Sequence, residues 1–356
     1  MKNVLILGGT GTIGQYLTEL YFEKPNVNVI VTSRQTISSV SNIKYVCGNA
    51  HDIDFLKSIL TSRHWTAIID LMSYKTDEFS NRVDLLLAST EHYLYISSSR
   101  VYADNGLEPI KEDNLRLLDA TKDEVYLRTD EYALAKARQE NILMLHNNKN
   151  WSIVRPYITF GPDRLQLGVY EKEQWLYRVL NGKAIVFPKS LLDNFTTLTP
   201  NKDVSSFIYY LIEQENACGE FYHVTGNYCV KWIDILDTYC NVITEVLGVE
   251  MKVCYTEHPV IQPGSFYQYK YDRCFNRVFD NSKANEVYRI DKENVHQYLQ
   301  TCIRSYLKNR ERFNAISWRV EAVMDRKSKD FQNIFKIPSI KERLTYMAYR
   351  IFPLPL

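Results

Sequence analysis

Short runs of strand-forming residues recur through the first half of the chain: Asn3–Leu7, Val29–Thr32, Lys44–Cys47, Ala67–Leu71, Tyr93–Ser97 and Trp151–Arg155. Each is rich in Val, Ile or Tyr, and most are separated by stretches long enough for a crossover helix. Repeated strand–helix–strand units predict an α/β fold, a doubly wound parallel sheet of Rossmann type with helices on both faces. After Pro156 the rhythm changes to a loop, Phe160–Gly168, an amphipathic stretch, Val169–Leu180, a turn at Asn181-Gly182 and a short strand, Ala184–Phe187. Asp203–Ile212 reads as a helix capped by Asp203, and Glu220–Thr225 as one more strand. Assigning that pair to the first half makes the domains interleave. Residues 1–168 plus about 195–226 form the larger domain, about 169–194 and 227–303 a smaller one, and 304–356 an extension.

Composition narrows the class. With 45% hydrophobic and 24% charged residues, the 356-residue chain is that of an ordinary water-soluble protein. A formal net charge of +1 gives no overall field to recruit nucleic acid or a membrane, so no nucleic-acid partner is expected. The seven cysteines lack C-x-x-C spacing and read as reduced thiols of a cytoplasmic protein. No apolar run is long enough for a signal-peptide core or a spanning helix. The histidines show no ligand spacing, so no metal is expected.

Three motifs carry chemistry. Gly8-Gly9-Thr10-Gly11-Thr12-Ile13-Gly14 follows the opening strand and opens a helix. Glycines at 8, 11 and 14 permit a tight turn, close approach of a pyrophosphate and close helix–strand packing, with the anion on backbone N–H groups at the helix N-terminus. In that context the pattern predicts a dinucleotide site rather than a bare turn. Tyr132 and Lys136, four apart on a helix, share a face, and an ammonium beside a phenol favours the phenolate. Thr129-Asp130-Glu131 supplies the helix cap and early acids. Ser97-Ser98-Ser99 ends the fifth strand, where a hydroxyl can donate to a substrate oxygen that changes charge. Taken singly, the last two also read as a surface lysine beside a half-buried tyrosine and as a serine-rich turn.

In this order, the three motifs resemble the extended short-chain dehydrogenase/reductase superfamily, its NAD-dependent epimerase/dehydratase branch, over roughly residues 1–260. The resemblance implies that Ser98, Tyr132 and Lys136 are the catalytic group, with Tyr132 the acid–base and Lys136 holding the nicotinamide ribose. It implies cofactor contacts from the glycine loop, from Leu71, Met72, Ser73 and Lys75 after strand four, and from the backbone after Trp151–Pro156, at Pro156 and Ile158. Ser99, Tyr102, Arg164, Lys172 and Trp175 fall where substrate is met, although surface charge and core are the plainer reading of the last three. Family members mostly act on sugars carried on a nucleoside diphosphate.

Departures from the family pattern choose among activities. NAD-selective members carry an acid after strand two, where this chain has Thr32-Ser33-Arg34. No carboxylate repels a 2′-phosphate and Arg34 can pair with it, so NADP is favoured over NAD. Asn49 replaces the usual acid at the adenine. The dehydratases follow their catalytic threonine with Asp-Glu, whereas Ser99 and Arg100 follow Ser98. The expectation is an NADPH-dependent ketoreductase acting on a nucleotide-linked keto-sugar in surface-polysaccharide precursor synthesis. The alternatives are an epimerase that retains NAD(P), or a non-catalytic NADP- and RNA-binding relative. A homodimer stays open. The extension is basic (Lys308, Arg310, Arg312, Arg319, Arg326, Lys327, Lys329, Lys336, Lys341, Arg343, Arg350) with interleaved aromatics, and ends in proline-broken apolar residues. It either packs on the second domain or across a dimer, or contacts a membrane surface or protein partner.

Overall fold

The computed structural model describes every residue except 1, 23, 291–294, 310–312 and 314. Arg310 and Arg312 of the basic extension therefore lie outside the described residues. The chain forms two compact units, 1–159 with 197–228 and 279–295, and 160–196 with 229–278 and 296–356. The sequence boundaries differ here: 160–168 fall in the second unit, 279–295 in the first, and the described part of 304–356 in the second.

The first unit is built on a seven-stranded parallel sheet. From edge to edge the strands are Glu220–Val224, Trp151–Pro156, Thr90–Ile96, Trp65–Asp70, Lys2–Leu7, Val27–Ser33 and Ile43–Cys47. The apolar runs form strands because both faces are covered. Val4, Ile6, Val29 and Val31 pack on one side with the helices Thr12–Phe22 and Asn201–Leu211, while Leu5, Leu7, Ile30 and Ile68 pack on the other. Chain direction around the sheet reverses between Lys2–Leu7 and Trp65–Asp70, and the crevice beyond the carboxyl ends of such a pair is where ligands bind in open α/β sheets.

Asp203 does not cap its helix. The helix opens at Asn201 after Pro200, and Asp203 lies buried in the first turn. The proline fixes the entry and an acid in the first turn suits the helix dipole, so Asp203 stands three residues past the cap, at the third helical position. In the second unit the expected helix from Val169 starts at Lys172. Gly168, at φ 60°, turns a hairpin pairing Gln166–Leu167 with Tyr170–Glu171, which holds the chain extended up to the capping box at Glu171. That unit also holds a parallel pair, Ile185–Pro188 with Val253–Thr256, and the helices Trp232–Leu247, Trp318–Ser328 and Ile340–Ile351.

The basic extension is anchored by buried charge. Arg178 and Lys183 both reach Glu321 and Asp325 at 2.7–2.8 Å, with side chains less than a tenth exposed. Asp325 further accepts from Tyr346 Oη at 2.6 Å and from the Gln332 N–H. Burial pushes the Glu321 carboxyl up, and Arg178 and Lys183 oppose that. Removing one member of such a set strands its partner's charge, which costs about 3–5 kcal/mol.

Candidate active site

The site begins at the glycine turn. Gly8 has φ 70°, and a Cβ there would lie 2.7 Å from Met72 Sδ. Its N–H donates to Thr32 Oγ1 at 3.0 Å, tying the turn to the end of the second strand. A Cβ on Gly14 would lie 2.4 Å from the backbone of Gly9, so helix and turn touch there. Gly11 is different: its nearest neighbour would be Gly8 O at 4.0 Å. Protein packing explains the first (Gly8) and second (Gly14) of these glycines, whereas nothing among the described residues fills the space over Gly11. That space lies at the N-terminus of Thr12–Phe22, where the opening N–H groups have no intrahelical partner.

A cleft of about 370 Å³ opens over this turn, lined by Gly8, Thr10, Gly11, Thr32, Ser33, Arg34, Gly48, Asn49, Ala50, His51, Leu71, Met72 and Ser73. Eight of the expected cofactor residues are among them (Gly8, Gly11, Ser33, Arg34, Asn49, Leu71, Met72, Ser73). Thr12, Ile13, Gly14, Lys75, Pro156 and Ile158 do not line it. Arg34 is exposed and forms no ion pair among the described residues. Asn49 Oδ1 accepts from the His51 N–H at 3.2 Å and shapes the loop after the third strand. Ala50, His51 and Gly48 were missed by the sequence reading, which placed Thr10 in the glycine turn and Thr32 at the strand end without assigning either a contact. Gly48 carried a signal, a glycine directly after a strand, since a Cβ there would lie 2.0 Å from the Phe55 ring. Arg82 braces the same loop by donating to the carbonyls of Ala50 and His51, and Glu78 pairs with both Arg82 and His51.

Tyr132 is the first residue of the helix Tyr132–Leu145, capped by Glu131, whose carboxylate accepts from the Ala133 N–H at 2.9 Å. It is 37% exposed, with the guanidinium of Arg100 5.2 Å and the ammonium of Lys136 6.0 Å from its ring centre. Glu131 also binds Arg100 at 2.6 Å and Tyr126 Oη at 3.0 Å, so its carboxylate is committed. Ser98 Oγ accepts from the Arg100 N–H at 3.2 Å and caps the short helix Ser99–Val101. Accepting that bond leaves the hydroxyl proton available for donation.

Lys136 is 1% exposed and donates to Met72 O at 3.1 Å, just past the fourth strand, and to Ile96 O at 2.7 Å, at the end of the fifth. An ammonium has three protons, so one remains for a ligand. Burial lowers its pKa to about 8, against the pull of Asp70 and Glu140. Asp70 itself is pushed up by burial, while Tyr93, the Met72 N–H and Tyr74 donate to it. One turn further along the helix, Glu140 accepts from Ser97, from Arg155 through two bonds of 2.8 Å and from Arg116. Ile158 holds φ 30°, unusual for a β-branched residue, with its carbonyl accepting from the Thr199 N–H at 3.1 Å. Backbone held off its preferred region clusters at ligand sites.

Several expected substrate residues are interior. Ser99 donates to Arg155 O at 2.7 Å, and Tyr102 is fully buried against Arg155 and His223. In the second unit Trp175 is 1% exposed, stacked at 4.4 Å on Tyr239. Its reading as a substrate contact is corrected to a core residue, because its face is covered by that tyrosine. Arg164 is partly exposed and paired with Glu171, and Lys172 is buried and bonded to Asp163 O. Among the described residues no cluster of His, Cys, Asp and Glu has metal-holding geometry.

Comparison with known proteins places these features in context. The sequence profile of the NAD dependent epimerase/dehydratase family matches residues 4–224. A curated relative, chloroplast stem-loop binding protein of 41 kDa b from Arabidopsis thaliana, is 24% identical over 241 residues, 63% of this chain. The match spans 59% of that relative's length. Among solved structures, UDP-N-acetylglucosamine 4-epimerase from Methanobrevibacter ruminantium aligns at 17% identity with a TM-score of 0.66, covering 86% of this chain and 99% of that one. dTDP-glucose 4,6-dehydratase from Bacillus anthracis, in complex with NAD, gives 17% and 0.67, covering 87% and 97%. UDP-glucuronic acid 4-epimerase from Bacillus cereus, with UDP-glucuronic acid and NAD, gives 16% and 0.64, covering 87% and 100%. At these identities the likeness is one of fold.

Proposed function

The chain belongs to the NAD dependent epimerase/dehydratase family, and from that premise we propose that it is an NADPH-dependent reductase of a nucleotide-linked keto-sugar. Surface-polysaccharide precursor synthesis is the setting we assign. The observation that carries the choice of NADPH is Arg34: an exposed guanidinium lining the dinucleotide cleft, with no ion-pair partner among the described residues and no carboxylate at the end of its strand. The residues fit a dinucleotide. The space over Gly11 admits a pyrophosphate, and the remaining proton of Lys136 suits a ribose hydroxyl. When bound, NADPH supplies hydride to the carbonyl carbon.

In this reading Tyr132 gives its proton to the nascent alkoxide and Ser98 donates a hydrogen bond to the same oxygen. Lys136 holds the ribose and favours return of the proton from bulk water. Elimination of water is disfavoured because Arg100 stands where the dehydratase acid would, and the adjacent Glu131 is committed to three donors. Seven free cysteines suit a reducing compartment, and we assign the cytoplasm.

The test supplies UDP- and dTDP-linked 4-keto-sugars with NADPH. One NADPH oxidised per sugar reduced is the expected result. Interconversion of two sugars by protein carrying its own NAD, with no net oxidation, replaces this reading by epimerisation. Stem-loop RNA binding without turnover replaces it by the activity in the plant relative's name.

A further inference from the structure

The helix Ile340–Ile351 leaves aliphatic side chains uncovered. Ile340, Leu344 and Ile351 are 74%, 67% and 59% exposed, and their spacing of four and seven residues sets them on one face. The opposite face carries Tyr346, fully buried, ring to ring with Trp318 and bonded to Asp325. A helix on a protein surface ordinarily buries its apolar stripe and shows water its polar one. Here Tyr346, with Met347 and Tyr349 beside it, packs on the core, while Ile340, Leu344 and Ile351 face out. Phe335, before the helix, and Phe352 and Leu354, after it, are exposed as well.

The charge around the stripe has one sign. Residues 327–356 hold six basic side chains and two acidic ones in a chain of net charge +1. Both acids are spent internally: Asp330 accepts from the Ala184 N–H at 2.8 Å, and Glu342 closes a capping box with Ser339. Helical spacing puts Lys341 on one flank of the stripe and Arg343 on the other.

We propose that this face is a docking surface for an anionic lipid bilayer. The stripe sinks to the boundary of headgroups and acyl chains while Lys336, Lys341, Arg343 and Arg350 meet headgroup phosphates. No helix among the described residues is long and apolar enough to cross a membrane, so the attachment is peripheral. A second copy is the weaker occupant. A twofold contact sets the same basic-flanked patch against itself, and lysine is depleted from protein interfaces. RNA is weaker too, since single strands are held by stacking on aromatic planes, and the stripe itself is aliphatic with Phe335 and Phe352 only at its two ends. None of these residues lines the dinucleotide cleft, so the proposal stands apart from the catalytic reading.

The experiment is co-sedimentation of the full chain with vesicles of phosphatidylcholine alone or with added phosphatidylglycerol. Binding is expected only to the anionic vesicles, falling about fivefold for each of Lys336→Gln and Lys341→Gln, from roughly 1 kcal/mol per basic residue near the surface. Leu344→Glu/Ile351→Glu is expected to lose binding while its melting curve matches the parent, because both side chains are exposed. Absence of sedimentation overturns the proposal, as does sedimentation that the double variant leaves unchanged. If the parent is a dimer that Leu344→Glu/Ile351→Glu splits, the face belongs to a second copy. If the same variant abolishes binding to a stem-loop RNA and not to vesicles, it belongs to nucleic acid.

Discussion

Three glycines in one turn offer a test in which the same added methyl group should have different consequences. At Gly8 an alanine must adopt φ near 70°, which costs about 1–2 kcal/mol, and must move the Met72 thioether. At Gly14 the methyl meets the Gly9 backbone at 2.4 Å, and neither chain can yield without opening the turn. Overpacking of that kind costs about 1–3 kcal/mol, or roughly 2–12 °C in melting temperature for a unit of this size. At Gly11 the methyl meets no protein atom closer than 4.0 Å, and the backbone is not left-handed. Gly11→Ala should therefore leave the melting temperature unchanged or raise it slightly, because alanine loses less entropy on folding, an effect worth about 0.4–1 kcal/mol.

The order reverses when a dinucleotide is added. If the pyrophosphate sits over Gly11, a methyl group there holds it away from the helix N-terminus. Losing two charge-assisted hydrogen bonds at about 1.5–3 kcal/mol each weakens binding at least a hundredfold. The measurements are a melting curve and an NADPH titration on each single alanine variant. Wild-type affinity in Gly11→Ala would refute the placement of the pyrophosphate. A melting loss in Gly11→Ala equal to that in Gly14→Ala would refute the packing argument behind it.

Tyr132→Phe should lower turnover by about 10²–10⁴-fold, the range of general acid–base catalysis, with NADPH affinity retained in the titration. Arg34→Ala should weaken NADPH about tenfold, the lower end for a charge-assisted bond because the guanidinium is exposed, and leave NADH unchanged; equal losses would make Arg34 structural. Burial lowers the Lys136 pKa to about 8, so the ammonium is present below that pH and lost above it. Dinucleotide affinity should therefore fall as pH rises through 8, and Lys136→Met should show a weaker but flat profile across the same range.

The sheet was legible because a buried parallel strand leaves a compact signature. Val4–Leu7 and Val29–Val31 must be apolar on both faces, and no surface element has that constraint. Strand ends were less so: Thr90–Ile96 begins before the expected Tyr93, since its first residues are fixed by pairing with Trp65–Asp70 rather than by their own polarity. Ser99 and Tyr102 sit in sequence beside Ser98 and in space inside the core. Distance along the chain says little about which way a side chain turns. The buried ion sets lie further out of reach, because Arg155 with Glu140 and Arg178 with Asp325 become partners only after folding.

Lys136 marks the limit of a local reading. Its spacing from Tyr132 follows from helical geometry alone, and the sequence supplies both residues. Its chemistry does not follow from spacing. The ammonium bonds the carbonyl of Met72, in the loop after one strand, and that of Ile96, at the end of the next, and its proton affinity is set by burial together with Asp70 and Glu140. Those groups lie at separate strand ends and one helical turn away. A substitution that shifts either strand end would therefore move the ammonium before it touched Tyr132. Such a substitution should reach the site first through dinucleotide affinity, and only afterwards through proton transfer.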